Sequence, residues 1–224
     1  NVIVYGHHMR DGTMFGPLKR YSDIEFYKQH PIIDFNTLYK EGKYKIFSVF
    51  ITNTLEEHDE NGVFNYRRTK FSSEEDFLSF VNDLKIRSMI DTGVEVLGTD
   101  EILTLSTCTY EFDDARLVVV ARRVRDDELP EDYNSTIDAK VNAKPLYPDI
   151  WYKKKGLKKP NFDDILSSSM AESTSSQTQS GDELTSSDEL ISDDATILEE
   201  IFEKKLLLFF YYYFFTIQPC LQAP

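Results

Sequence analysis

The sequence predicts a mostly β domain, a closed barrel or a sandwich with a few appended helices, followed by a polar acidic tail. Short apolar segments recur along residues 1–125, and turn signals separate them. Helical patterns in this region are few. Residues 161–224 carry 12 acidic residues against 2 basic ones, so most of the net charge of −14 lies in the tail.

The elements of the first half follow in order. Val2–Tyr5 predicts the first strand, and Asp11-Gly12 is a turn signal after it. A short helix is predicted around Leu18–Phe26. Ile32–Phe35 and Tyr44–Ile51 then predict two strands, the second with a period-two alternation.

A second helix is predicted at Ser73–Arg87. Ser73 is a cap residue, and the acidic residues that follow it favour the first turn of a helix. Apolar residues then recur at helical spacing up to Leu84. The remaining strands are predicted at Gly93–Val96, Ile102–Ser106 and Leu117–Val124.

The rest of the chain predicts three further segments. Residues 126–160 are expected to form an irregular extension, with a lysine-rich patch at residues 153–159 that suits an anionic surface or is simply solvated. Residues 161–205 are rich in Ser, Thr, Asp and Glu and are expected to be a disordered linker. Residues 206–224 contain the apolar, aromatic run Leu206–Ile217. At 12 residues it is shorter than the roughly 20 of a membrane span. An interfacial segment, a damaged or frame-shifted end and an aggregation-prone tail remain open.

Composition also restricts the function. Residues 1–160 are nearly balanced in charge and contain no basic stripe suited to nucleic acid, so nucleic-acid binding is not expected. The histidines and cysteines show no metal-ligand spacing, and we expect neither a metal nor another cofactor. Cys108 and Cys220 lie in very different contexts, which disfavours a structural disulfide and favours a catalytic thiol.

Cys108 and Arg116 are the main candidates for chemistry. The thiol ends one predicted strand and the guanidinium opens the next, so an antiparallel pairing brings both to the same end of the sheet. A permanent cation beside a thiol favours the thiolate and also stabilises an oxyanion. The early candidates for a base are His7 and His8.

Three segments resemble class B sortases. Tyr5-Gly6-His7-His8-Met9 with Asp11-Gly12-Thr13-Met14-Phe15 resembles the histidine segment of that family. Thr104–Cys108, TLSTC, resembles the signature that carries the sortase thiol. Arg116 stands where the family places its catalytic arginine, and the three motifs occur in the family's order over residues 1–125.

The resemblance implies a cysteine transpeptidase with a closed β-barrel whose first strands are missing here. Cys108 would be the nucleophile, His7 the general acid and base, and Arg116 the group that binds the substrate and the oxyanion. The residues that line the substrate groove would be Thr104, Leu105, Ser106 and Thr107. Because the chain starts with Asn at a strand, we expect that it is truncated at the N-terminus.

The resemblance also implies partners and a location. The donor would be the C-terminal sorting signal of a secreted surface protein, and the acceptor an amine of a peptidoglycan precursor or a pilin. The enzyme would lie at the outer face of a Gram-positive cell membrane, held by an N-terminal anchor that this sequence lacks.

Other interpretations remain open. The chain is alternatively an inactive cell-surface interaction module, a non-functional fragment, or a hydrolase that releases its peptide to water. His8 is expected on the other strand face from His7, and His30 and His58 are expected to be ordinary loop residues. Three further arginines, Arg122, Arg123 and Arg125, are expected to be surface charges. Glu111 and Asp113 either orient Arg116 or are solvated.

Overall fold

The computed structural model describes residues 1–128 and 138–160. Its strands are β1 (Val2–Tyr5), β2 (Ile32–Asp34), β3 (Lys43–Thr52), β4 (Ile90–Asp91), β5 (Ile102–Cys108), β6 (Arg116–Arg123) and β7 (Lys140–Val141). Its α-helices are α1 (Ile24–Gln29), α2 (Glu74–Arg87) and α3 (Asp149–Lys155), with 3-10 helices at Gly16–Ser22 and Glu56–His58. The predicted mostly β class is confirmed. Within these residues no helix has the length and apolar character needed to cross a membrane.

The main sheet has the strand order β1-β5-β6-β3-β2. β1 runs parallel to β5, and the other neighbours are antiparallel. The sheet curls as a half-barrel with β1 and β2 at its edges, and it does not close within the described residues. A separate two-stranded sheet pairs β4 with β7.

Both faces of the main sheet are buried, because side chains alternate between two apolar clusters. One face packs against α2 and includes Phe50, Val118 and Val120. The opposite face includes Leu103 and Val119 and packs against the 3-10 helix at residues 16–22, α1 and the segment around α3. The α2 face and the opposite face are therefore two separate cores that share one sheet.

Helix α2 forms as predicted. The hydroxyl of Ser73 accepts a hydrogen bond from the backbone N–H of Asp76 (3.2 Å), which caps the helix. Phe77, Phe80 and Leu84 bury one side of the helix against the sheet. The hydroxyl of Ser48 on β3 donates to the carbonyl of Leu84 (2.7 Å), so the helix is also tied to the sheet by a buried hydrogen bond.

Two predicted elements differ from the structure. The predicted strand at Gly93–Val96 is wrong: Val94 and Val96 are buried, but this segment packs into the α2-face core without joining a strand ladder. The predicted helix around Leu18–Phe26 is divided at Asp23. This residue ends the 3-10 helix, and its carboxylate caps α1 by accepting from the N–H of Glu25 (3.0 Å).

The predicted irregular extension is also partly ordered. Its described residues contain β7 and α3, because Tyr147, Ile150 and Trp151 pack against the core opposite α2. The rings of Tyr147 and Trp151 stack with centroids 3.9 Å apart. Residues on both sides of the predicted boundary at 125 belong to one compact unit. The predicted linker at 161–205 and tail at 206–224 lie outside the described residues.

A buried ion cluster lies where β5 begins and β6 ends. The side chains of Arg122 and Lys45 are 3% and 4% exposed, and both bind the carboxylate of Glu128, Lys45 at 2.9 Å. Arg125 pairs with Asp100 beside them at 2.8 Å. Hydrogen bonding from Arg122 holds the pKa of Glu128 far below its usual value. The prediction that Arg122 is a surface charge is therefore wrong, because residues 125–128 fold back over it.

We expect Glu128→Gln to lower the free energy of unfolding by about 3 kcal/mol at neutral pH, because it removes the negative charge beside two buried cations. Urea denaturation measures this loss. The matched control is Asp34→Asn, which removes an exposed pair with Lys43 (2.7 Å) and is expected to cost less than about 1 kcal/mol. Similar losses of unfolding free energy in the two variants would contradict the claim that burial makes the Glu128 pairs more stabilising than an exposed pair.

The loss should also depend on pH in a defined direction. The pKa of Glu128 is lower in the folded protein than in the unfolded chain, where it is about 4.3. Its stabilisation is therefore present above that value and is lost as pH falls further. The gap in unfolding free energy between wild type and Glu128→Gln should narrow below about pH 4, and a gap that widens in acid would be inconsistent with this cluster.

Candidate active site

The hairpin between β5 and β6 sets the position of the predicted thiol and guanidinium. Cys108 is the last residue of β5 and lies directly opposite Arg116, the first residue of β6. The N–H of Thr109 donates to the carbonyl of Ala115 (3.1 Å) and closes the loop between them. The expectation that antiparallel strands bring both groups to one end of the sheet is confirmed.

Both side chains lie at the rim of the α2 face. Cys108 and Arg116 are half-buried, whereas the strand residues next to them are buried. The Nη1 of Arg116 donates to the carbonyl of Ala115 (3.2 Å). On its other side Arg116 pairs with Thr52 of β3. A half-buried thiol beside an arginine at a strand end is accessible to a ligand while its backbone is held by the ladder.

Strand β1 brings the histidine segment to the same place. β1 pairs with β5 so that Tyr5 lies opposite Ser106, and the N–H of Gly6 donates to the carbonyl of Ser106 (3.1 Å). The ladder ends there, two residues before His7 on one segment and two residues before Cys108 on the other. The side chain of His7 is exposed, and its backbone carbonyl accepts from the N–H of residue 15 (3.0 Å).

The ring of His8 contacts the backbone of Cys108, the candidate nucleophile. The Nδ1 of His8 lies 2.9 Å from the carbonyl oxygen of Cys108. A carbonyl only accepts hydrogen bonds, so Nδ1 carries the proton of this bond. The ring of His8 packs against Tyr110 with centroids 5.3 Å apart. Sequence reasoning placed His8 away from the thiol face and missed this bond.

The four predicted groove residues are all buried. The hydroxyl of Thr104 donates to the side chain of Asn1 (2.9 Å), and Leu105 belongs to the core opposite α2. Ser106 bonds the hydroxyl of Tyr66 (3.0 Å). Within the described chain, the hydroxyl of Thr107 makes no hydrogen bond. Their contact with a substrate stays a prediction.

Two tyrosines beside Ser106 were not singled out from the sequence. Tyr5 is 59% exposed at the end of β1, on the same side of the sheet as Ser106. Burial of part of its ring, together with nearby Tyr66, raises the pKa of Tyr5. The strand register places Tyr5 opposite Ser106, whereas Tyr66 lies in a loop that has no periodic pattern.

An ion pair connects the loop between β5 and β6 to α3. Glu111 lies 3.7 Å from the Nζ of Lys155, while Asp113 is exposed. Lys159 bonds Asp149 at 2.7 Å and Asp59 at 3.3 Å. The lysines at 153–155 and 158 are exposed, as a solvated patch requires.

The other two histidines, His30 and His58, have ring contacts with phenylalanines. His30 is exposed and its ring packs against Phe26, as expected of a loop residue. His58 is half-buried and packs edge-on against Phe112, with centroids 5.7 Å apart. Among residues 1–128 and 138–160, no group of three or more His, Cys, Asp or Glu is arranged to hold a metal ion.

The chain is similar to proteins of the sortase family. The sortase domain family matches residues 1–124. Sortase B of Staphylococcus aureus is 38% identical over 127 residues, which cover 56% of this chain and 49% of that protein. Sortase B of Listeria monocytogenes is 34% identical over 126 residues, covering 55% and 48%. The chain thus spans about half the length of these curated relatives.

Solved structures of Sortase B are also similar to this chain. The crystal structure of Staphylococcus aureus Sortase B is 37% identical, with a TM-score of 0.47 and coverage of 55% of this chain and 56% of that one. A structure of Clostridium perfringens Sortase B is 33% identical, with a TM-score of 0.47 and coverage of 55% and 64%.

The buried pair of Tyr66 and Ser106 gives a test of the packing beneath the site. We expect Tyr66→Phe to lower the free energy of unfolding by about 1–2 kcal/mol, because it leaves the Ser106 hydroxyl buried without this partner. Adding Ser106→Ala should recover part of that loss. Urea denaturation of the double-mutant cycle should give a coupling of about 1 kcal/mol, and strictly additive effects would show that the bond is absent.

Proposed function

The chain belongs to the sortase family, with class B relatives, and we propose that it is a cysteine transpeptidase whose nucleophile is Cys108. The observation that carries this proposal is the register of the sheet. Cys108 lies opposite Arg116, and β1 pairs with β5 up to Tyr5 opposite Ser106, two residues before His7 and Cys108 in their segments. The pairing of two segments about 100 residues apart supports a site that His7 shares with Cys108 and Arg116.

In the first half of the reaction, the thiolate sulfur of Cys108 attacks the carbonyl carbon of a peptide bond. The guanidinium of Arg116 hydrogen-bonds the developing oxyanion, and each well-placed donor contributes about 3 kcal/mol. The C–N bond then breaks, and the leaving amine takes a proton from the imidazolium of His7, which leaves the neutral imidazole. The product is a thioester between the substrate's acyl group and Cys108.

In the second half, an acceptor amine attacks the thioester carbonyl. The neutral imidazole of His7 removes a proton from this amine, since it gave up its own proton in the first step. A new amide bond forms and the Cys108 thiolate leaves, which restores the enzyme. Water in place of the amine gives hydrolysis, which is the second outcome open to the same intermediate.

We propose a sorting-signal peptide of a secreted surface protein as the donor and an amine of a peptidoglycan precursor or a pilin as the acceptor. Two related solved structures support the two kinds of ligand: one is a Sortase B–substrate complex and another a Sortase B complexed with triglycine, both similar over about 56% of this chain. The curated relatives come from Gram-positive bacteria, which supports a location at the outer face of the membrane.

The full 224-residue chain should cleave a member of a panel of quenched sorting-signal peptides, and triglycine should be joined to the released acyl fragment. Mass spectrometry of the products distinguishes transfer from hydrolysis. Cys108→Ala should abolish both products, and His7→Ala or Arg116→Ala should each lower kcat by at least about 100-fold.

Cys220→Ser is the matched control for the thiol, because it removes the second cysteine and should leave turnover unchanged. Product without triglycine in it would assign the chain to hydrolysis. No cleavage of any peptide would support an inactive interaction module, and cleavage by Cys108→Ala would refute the proposed nucleophile.

A further inference from the structure

Three hydrogen bonds hold the histidine segment after β1, and two of them join it to β5. The N–H of Gly6 bonds the carbonyl of Ser106 at 3.1 Å, and the Nδ1 of His8 bonds the carbonyl of Cys108 at 2.9 Å. Between them, the carbonyl of His7 accepts from the N–H of Phe15 at 3.0 Å. His7 is thus fixed through its backbone and its two neighbours, while its own side chain is exposed.

We propose that His8 is a positioning residue, whose Nδ1–H bond to the Cys108 carbonyl sets the imidazole of His7 relative to the Cys108 thiol. This inference rests on the proposed transpeptidase function and assigns to the second histidine of the segment a role distinct from acid–base chemistry. His8 acts on the reaction through the backbone of the nucleophile.

The bond suits this role because it joins the immediate neighbour of one reacting group to the backbone of the other. His8 is next to His7 in the chain, and the acceptor carbonyl belongs to Cys108 itself. The packing of Tyr110 against the ring of His8 restricts ring rotation. The Nδ1 proton is present in the imidazolium and in the Nδ1–H tautomer, so the carbonyl can accept from both forms.

The turn that follows supports the same position. His8 pairs with Met14, and the carboxylate of Asp11 accepts from the N–H of Thr13 (3.0 Å) within the turn. The ring of Phe15 lies over Gly6, where an added Cβ would approach it to 2.5 Å. The segment therefore packs too closely to shift His7 without breaking these contacts.

Substitution of His8 by asparagine or by glutamine tests which of its two ring nitrogens is needed. The side-chain amide of Asn reaches the position of Nδ1, whereas that of Gln reaches the position of Nε2. In the full chain, with the best cleaved peptide, His8→Asn should keep kcat within about threefold of wild type. His8→Ala and His8→Gln should lower kcat by about 30- to 100-fold with little change in KM, because a small misplacement of reacting groups costs about that much. His30→Ala, an exposed histidine, is the control and should leave kcat unchanged.

A second measurement is independent of the peptide. Mass spectrometry of the Cys108 peptide follows its alkylation by iodoacetamide at neutral pH, separately from Cys220. Adding His7→Ala to wild type or to His8→Asn should change the alkylation rate of Cys108 several-fold. Adding it to His8→Ala should change that rate less than about twofold, because His7 and Cys108 are no longer held together.

The two experiments test the transpeptidase function and the positioning role of His8 separately. If no peptide is cleaved but the alkylation pattern holds, the proposed transpeptidase function fails and the positioning role stands. If His8→Asn loses activity as fully as His8→Ala, or if His7→Ala changes alkylation equally in every background or in none, the positioning role is refuted. Loss in all His8 variants with no loss in His7→Ala would instead make His8 the acid and base.

Discussion

The hydrogen-bonded register between β5 and β6 is the constraint on which the site depends. It sets Cys108 opposite Arg116, and a slip of one residue would turn one of them to the other face of the sheet. Such a slip is costly because both faces are buried: alternate residues of β5, such as Ile102 and Leu103, belong to the two separate cores. The packing of the strands therefore positions the proposed reactive pair.

The parallel pairing of β1 with β5 brings the histidine segment to the end of β5. It joins residues about 100 positions apart, and it does so at a sheet edge, where β1 has a strand on one side only. The three bonds of the segment after β1 compensate for this, because they hold the backbone of His7 where the ladder ends. At the far end of the sheet, the cluster around Glu128 fixes the start of β5 and the end of β6, so both ends of the central hairpin are restrained.

Local patterns were enough to predict the strands β1, β3, β5 and β6 and the capped helix α2, since alternation and caps are properties of neighbouring residues. They failed at Gly93–Val96, because a buried segment without a ladder partner has the same apolar alternation as a strand. The Cys108–Arg116 pair was predictable because a hairpin is local. The bond from His8 to Cys108 and the burial of Arg122 under Glu128 were not, because each joins segments that only the tertiary fold brings together.

The central claim is that Cys108 forms a thioester in this arrangement of strands. Intact-mass spectrometry of the full chain, quenched in acid after brief incubation with excess cleavable peptide and no amine, tests it most directly. We expect an adduct with the mass of the substrate's acyl fragment, located on the Cys108 peptide and removed by hydroxylamine. A peptide that is cleaved with no adduct at Cys108, or with the adduct on another residue, would contradict it.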